Sequence, residues 1–505
     1  MKSLRRSIAT GAVWMVLFKL LDRSLGLIST MILARILVPA DFGVVAMATS
    51  LVGILELLSA FGVDAALIQR RDATREHFDT AWTLNVLAAT TVATLLVLLS
   101  WPLSRFYGDP RLVPLVCVLA AGSLAIGFEN VGVVAFRKEM NFEREFRYLL
   151  SKRVLTFALS VPLALWLRSY WALAFGMIFG RFAGVVISYL LHPFRPRFSL
   201  TRAGELMRIS RWLVTQNLLF FVRERAGDLI LGRLAGAHAV GILSLSNEIA
   251  SMPGSELVAP INRAALPGYA RVSHDLPALC REYLNVAGLV AVLVIPVVAG
   301  VAVMAPIAVA LLLGPQWHEA GVVIQLLAFI GISNVFLGTT QAPVLAVGRP
   351  VVFARIFLVQ IAVLIPLLLW LIPRHGVIGA AMAYLGISAG LLPVNLALVL
   401  RTLHLRFADL LASVWRPVLA AATMYVLTRV LMPEIDAASL RPARALALLG
   451  TYAPIGAAIY AATLASLWWL SGRPEGPETS LLREVSSRFL RARGAERTGD
   501  QPAQR

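Results

Sequence analysis

Long apolar runs separated by short polar joints set the pattern of this chain. A bilayer core needs about 20 mostly apolar helical residues, and fourteen stretches meet that length. The first seven are Ala9–Leu33, Phe42–Val63, Ala81–Trp101, Leu112–Phe136, Tyr148–Leu167, Trp171–Leu191 and Ile209–Leu231. The second seven are Ala239–Pro260, Asn285–Leu313, Gly321–Val347, Val351–Ile372, Gly376–Leu400, Leu411–Met432 and Ala445–Leu470. The pattern predicts an all-α integral membrane protein with about fourteen transmembrane helices. Only Arg168 and Ser169 separate the fifth and sixth runs, so one long helix is the alternative there.

Composition supports the same class. The 505 residues are 58% hydrophobic and 15% charged, with mean hydropathy +0.77, whereas soluble domains carry about 25% charged residues. The formal net charge of +18 would point to nucleic acid on a soluble chain. On a chain this apolar it points to topology instead, and nucleic acid is excluded as a partner. Of the 46 basic residues, 32 fall on the loops and span ends of one side and 9 on the other. By the positive-inside rule both termini are cytoplasmic. Two cysteines and seven scattered histidines leave no disulfide framework, no metal site and no cofactor to expect. The basic start followed by a long apolar run reads as a first membrane helix and not a cleaved signal.

A weak internal repeat organises the runs. Arg35 and Gly43 flank the joint between the first and second runs, and Arg233 and Gly241 flank that between the seventh and eighth. Both pairs, Arg35 to Arg233 and Gly43 to Gly241, are 198 residues apart. Each copy pairs a helix ending in one arginine with a seven-residue connection and a glycine opening the next helix. This divides the chain into a six-helix bundle at 1–208, a second at 209–404, helices thirteen and fourteen at 405–471, and a disordered cytoplasmic tail at 472–505. Six is even, so the two bundles are parallel copies related by a pseudo-twofold axis along the membrane normal, an arrangement of transporters with a central cleft.

The same residues carry a resemblance. Arg35-Ile-Leu-Val-Pro-Ala-Asp-Phe-Gly-Val-Val-Ala-Met47 and Phe61-Gly-Val-Asp-Ala-Ala-Leu-Ile-Gln69 resemble the N-terminal signature of polysaccharide exporters. Asp228-Leu-Ile-Leu-Gly-Arg233 and Pro260-Ile-Asn-Arg-Ala-Ala-Leu-Pro267 resemble its middle part. These exporters are the Wzx-type flippases of the multidrug/oligosaccharidyl-lipid/polysaccharide superfamily. The resemblance implies movement of an undecaprenyl-diphosphate-linked oligosaccharide from the cytoplasmic to the outer leaflet, for O-antigen, capsule or exopolysaccharide assembly. It implies as partners the lipid-linked oligosaccharide, membrane lipid, and a polysaccharide polymerase with its co-polymerase. The motifs are loop and packing motifs and identify no substrate site.

The candidate site comes from charges inside the runs. An ionisable group at mid-bilayer costs about 2.5–3.5 kcal/mol on insertion scales, so it should face a partner or water. Five cations lie deep: Lys19 and Arg23 in the first run, Arg181 in the sixth, Arg223 and Arg225 in the seventh. Arg23 is about 18 Å along the axis from Arg35, at 1.5 Å per residue, too far to reach that surface easily. Guanidinium groups grip phosphate oxygens bidentately and lysine adds a point charge, so these five are the expected contacts of a diphosphate headgroup. Asp22, Glu56, Glu224 and Asp228 are the candidates for ion coupling, since alternating access driven by a gradient needs a carboxylate that changes charge state. The competing reading is a set of buried ionic staples, Asp22 with Lys19 or Arg23, and Arg225 with Asp228. Arg181, inside Gly176-x-x-x-Gly180-x-x-x-Gly184, has a lock between glycine-packed helices as its alternative.

Three other functions compete. A lipid II flippase shares the fourteen helices and a cationic cavity. A multidrug or cation exporter of the same superfamily would be ill served by arginines that repel its substrate. A membrane-embedded polymerase, ligase or glycosyltransferase would need a large external loop or a cytoplasmic catalytic domain, and the sequence has neither; the expectation is a transporter and not an enzyme.

Overall fold

The computed structural model describes residues 2–59, 66–68, 70, 72–207, 211–272, 274–346, 351–433, 440–473 and 479. Phe61 to Ala65 and Gln69 of the second signature, and nearly all of the tail beyond 473, lie outside them.

Every regular element among the described residues is helical. The first seven helices are α1 (Lys2–Ile36), α2 (Pro39–Ser59), α3 (Arg75–Tyr107), α4 (Leu112–Gly127), α5 (Val134–Lys138), α6 (Phe142–Leu167) and α7 (Trp171–Leu191). They continue with α8 (Ala203–Met207), α9 (Arg211–Pro253), α10 (Ala259–Arg271) and α11 (Leu276–Leu312). The last four are α12 (His318–Ala346), α13 (Val351–Leu403), α14 (Phe407–Leu431) and α15 (Pro442–Leu470). Ten helices among the described residues are long and apolar enough to cross a membrane, or eleven if the bent pair α4 and α5 is one span. α1 is outside this number because Lys19, Asp22 and Arg23 interrupt its apolar sequence. Two of the ten, of 40 and 52 residues, would be about twice the thickness of a bilayer core if straight. Each is bent at one glycine in the left-handed region, Gly236 in α9 (φ 79°) and Gly376 in α13 (φ 56°). A side chain at that backbone conformation would be strained.

Several joints differ from the sequence reading. The seven-residue connections expected after Arg35 and Arg233 are much shorter. α1 continues to Ile36 and α2 opens at Pro39, because a proline suits the first turn of a helix while disfavouring helical backbone in the residue before it. In the second copy helix persists on both sides of Gly236. The fourth run, expected as one span, breaks after Gly127 into α4, a 3-10 turn at Val131–Val133 and α5, bent by 60°. Asn130 holds that break: its side chain accepts from Gly132 N and donates to Phe194 O at 2.8 Å, and its backbone N–H donates to Ser188 Oγ at 3.0 Å. The fifth and sixth runs are separate helices, turned at Arg168 in the left-handed region (φ 45°).

The chain forms two compact units. The first comprises Met1–Leu245, Leu312–Trp317 and Ile361–Ala380. Within it α6 and α7 pack through glycines: Cβ atoms at Gly176 and Gly184 would lie 2.7 Å from Ser160 Cβ and 2.8 Å from Lys152 Cε. Trp317, fully buried, donates its indole N–H to Ala34 O at 2.8 Å and meets Phe42 edge-on. The 192–202 connector is strapped along the start of α3, with Arg197 N donating to Asp79 Oδ1 (2.8 Å) and Ser199 N to Thr83 Oγ1 (2.9 Å). At its end Arg202 and Arg70 both bond Glu205, and these neighbours hold the Glu205 carboxyl below its ordinary pKa.

The second unit comprises Ser246–Leu311, His318–Gln360 and Ala381–Arg505. Its core joins Tyr283, Val294 and Val298 of α11 to Val335 of α12, Val399 of α13 and Val414 of α14. Tyr460 of α15 donates to Val292 O at 2.8 Å.

The two residues that define the repeat spacing meet inside the first unit. A Cβ at Gly43 would fall on the carbonyl of Ala237 and beside Gly241 N; a Cβ at Gly241 would fall on the carbonyl of Pro39 and beside Gly43 N. The contact is reciprocal, since Ala237 follows Pro39 by the same 198 positions.

Candidate functional site

All nine charged residues singled out by sequence lie in the first compact unit. The structure sorts them into four arrangements.

Arg181 is the central residue of the 21-residue α7. Its guanidinium forks onto the Glu56 carboxylate of α2, Nη1 to Oε1 at 2.6 Å and Nη2 to Oε2 at 3.3 Å. Nη1 also donates to Ser123 Oγ of α4 at 2.9 Å, and that hydroxyl in turn donates to Glu56 Oε1 at 2.6 Å. A Cβ at Gly122 would sit 3.1 Å from Arg181 Cδ, so the small residue makes room for the arginine stem. A candidate headgroup contact and a candidate coupling acid are thus each other's partners. The glycine face of α7 packs on α6, while Arg181 bridges to α2 and α4, so the arginine is not part of the glycine seam.

Arg225 and Asp228, one turn apart on α9, pair at 2.9 Å, as the staple reading expects. The Asp228 side chain is 9% exposed and Arg225 36%. Tyr107, at the end of α3, packs its ring on Gly232, one turn further along α9. Arg223 is 3.7 Å from Glu224, with 26% and 40% of the two side chains exposed.

Asp22 is where the sequence expectation needs correction. The structure pairs it with Arg153 of α6, Nε to Oδ1 at 2.9 Å, and not with Lys19 or Arg23 as the staple reading had it. The reason is geometric: α1 and α6 pack side by side, Trp14 against Phe146 with ring centroids 4.8 Å apart, and Gly26 leaves a notch for the incoming guanidinium. A Cβ at Gly26 would lie 2.5 Å from Arg153 Nη2. Lys19 and Arg23, on the same α1 stripe, are half-buried.

Arg153 and its neighbour Lys152 are functional candidates that the loop arithmetic hid by grouping them with the topology cations. The signal was present, since both fall inside the predicted fifth run. Arg153 stands eleven residues into α6 and fourteen from its end, roughly 16 and 21 Å at 1.5 Å per residue. Lys152 is 3.4 Å from Glu129 Oε2, and Tyr148 also bonds Glu129. Glu129 was expected inside a membrane helix and instead occupies the break after α4. Next to that break, burial holds the His192 imidazole below its ordinary pKa. Among the described residues no three of His, Cys, Asp and Glu gather as metal ligands.

Chemically, the arrangement combines one closed ionic lock with several half-exposed cations on membrane-spanning helices. A charge at that depth facing hydrocarbon is costly, so each such cation calls for an anionic partner or for water.

A family model described as a polysaccharide biosynthesis protein matches residues 32–322. The lipopolysaccharide biosynthesis protein WzxC of Escherichia coli (strain K12) is 26% identical over 338 residues, 65% of this chain and 68% of that protein. The succinoglycan biosynthesis transport protein ExoT of Rhizobium meliloti (strain 1021) is 26% identical over 328 residues, 64% of this chain and 66% of that protein. The match thus spans about two thirds of each relative. Among solved structures, the lipid II flippase MurJ in an inward closed conformation aligns with a TM-score of 0.70 at 11% identity, covering 90% of this chain and 99% of that one. An inward-facing multidrug resistance MATE family transporter of the MOP superfamily aligns with a TM-score of 0.62 at 15% identity, over 76% and 94% of the two chains. At these identities the structural likeness is one of fold.

Proposed function

Because the chain belongs to the polysaccharide biosynthesis protein family, we propose that it moves a polyprenyl-diphosphate-linked oligosaccharide across the membrane. The direction is from the cytoplasmic to the outer leaflet of a bacterial inner membrane, with both termini cytoplasmic and fourteen crossings. Two six-helix bundles at 1–208 and 209–404 alternate the access of a central cleft, and helices thirteen and fourteen stand outside the repeat. The activity is transport, with no bond made or broken.

The observation that carries this reading is the half-exposure of Arg153, Arg223 and Arg225 within membrane-spanning helices. A diphosphate supplies the anion that such guanidinium groups grip through paired N–H donors. The headgroup and sugars would cross in the hydrated cleft on Lys19, Arg23, Arg223 and Arg225, and the polyprenyl tail would stay in lipid. Arg181 we assign to the lock with Glu56 and Ser123, because both of its Nη groups already bond inside the protein. Of the coupling candidates Asp22, Glu56, Glu224 and Asp228, the nearly buried Asp228 fits best, since loss of its charge would release Arg225. A polymerase with its co-polymerase would receive the product.

Deletion of the gene tests the reading. Polyprenyl-linked oligosaccharide should accumulate in the cytoplasmic leaflet and surface polysaccharide should vanish, and Arg225→Ala should complement neither defect. Normal surface polysaccharide in the deletion strain would refute the proposal; accumulation of lipid II instead would move the assignment to peptidoglycan.

A further inference from the structure

The Asp22–Arg153 pair joins α1 to α6 and leaves part of the donor set of a mid-helix arginine unused. Arg153 makes both of its polar contacts to one residue, Nε to Asp22 Oδ1 at 2.9 Å and Nη2 to the Asp22 backbone carbonyl at 3.3 Å. Its Nη1 has no acceptor among the described residues. The side chains are 36% and 42% exposed, against 18% for Arg181 in its closed lock. The notch at Gly26 lets Arg153 Nη2 come close against α1, on the stripe that also carries Lys19 and Arg23.

We infer that Arg153 is a diphosphate-binding residue and that Asp22 is its built-in competitor, a carboxylate that occupies the guanidinium when the substrate is absent. The inference rests on the flippase reading and deepens it. A diphosphate carries more negative charge than one carboxylate and can take the Nε–Nη2 edge with paired oxygens, the edge that Asp22 holds, so it displaces Asp22 from the guanidinium. Asp22 lies between Lys19 and Arg23 in sequence, so the displaced carboxylate keeps cations beside it on its own helix. When the headgroup leaves, Asp22 closes back on Arg153. The competition weakens ground-state binding and thereby favours release, which a transporter needs at the end of each cycle. In this scheme Asp22 acts on the substrate through Arg153 and is a positioning residue, not an ion carrier.

The full-length protein in lipid nanodiscs, titrated with farnesyl diphosphate, provides the test, with farnesyl monophosphate and inorganic pyrophosphate as comparators. Asp22→Asn, which removes the competing charge and keeps the shape, should bind farnesyl diphosphate about tenfold more tightly, and Arg153→Ala about tenfold more weakly. Arg153→Lys should lie between wild type and Arg153→Ala, since it keeps the charge and loses the fork; it also serves if Arg153→Ala does not fold. The double variant Asp22→Asn with Arg153→Ala should show no tightening, because Asp22 acts only through Arg153. Inorganic pyrophosphate binding as well as farnesyl diphosphate would assign the site to free anions and overturn its link to lipid. If wild type binds the probe but Asp22→Asn binds no more tightly, or Arg153→Lys equals wild type, the competitor mechanism is wrong while the flippase reading stands. If wild type fails to bind farnesyl diphosphate, both fall.

Discussion

At the scale of single residues, two arginines at similar depth do opposite things because of what surrounds them. Arg181 forks onto Glu56 and also reaches Ser123, whereas Arg153 makes its polar bonds to one residue. If Arg181 is a lock, Arg181→Ala should destabilise the protein by about 2 kcal/mol, less than a wholly buried pair would cost. Replacing both partners, Arg181→Met with Glu56→Leu, should restore most of that stability and keep transport, since no charge is then left unpaired. Thermal unfolding of the purified variants, with surface polysaccharide as the activity readout, checks both parts. A stable double variant that exports nothing would return Arg181 to the substrate. The sequence shows that these residues are charged and deep, but not which of them are already spoken for. That depends on Ser123, Gly122 and Gly26, whose small side chains carry no signal until their neighbours are known.

At the scale of elements, apolar runs predict helices well and their joints poorly. The runs from Ala81, Trp171 and Ala445 become α3, α7 and α15, with α3 running several residues further at both ends. The joints fail where a single backbone dihedral or one polar side chain decides them. Gly236 turns the chain with no loop at all, and Asn130 breaks an apolar run that hydropathy reads as continuous. Burying Asn130 satisfied requires the connector at Phe194, more than sixty residues away, which no local window can show. The reciprocal contact of Gly43 with Gly241 belongs to this scale too, and the 198-residue spacing that first paired them is legible in the sequence. Their backbones touch, so Gly43→Ala or Gly241→Ala should each cost about 1–3 kcal/mol through overpacking. Gly450→Ala, on α15 with nothing within 4 Å of the added methyl, should instead be neutral or stabilise by up to about 1 kcal/mol. Melting midpoints of the three variants test this, and tolerance of alanine at both 43 and 241 would contradict the close approach.

At the scale of the whole molecule, the net charge of +18 divides into two functions. Most basic residues sit at helix ends and loops, where they orient the chain in the membrane. The few inside helices are maintained against a cost of about 2.5–3.5 kcal/mol each on insertion scales, which the proposed passage of an anionic headgroup would offset. The decisive measurement uses the purified protein in liposomes loaded with a fluorescent polyprenyl-diphosphate oligosaccharide, whose outer-leaflet label is destroyed by an impermeant quencher. The account predicts that the protected inner-leaflet fraction disappears when the protein is present and persists with Arg225→Ala. Protection that persists with the wild-type protein would contradict it.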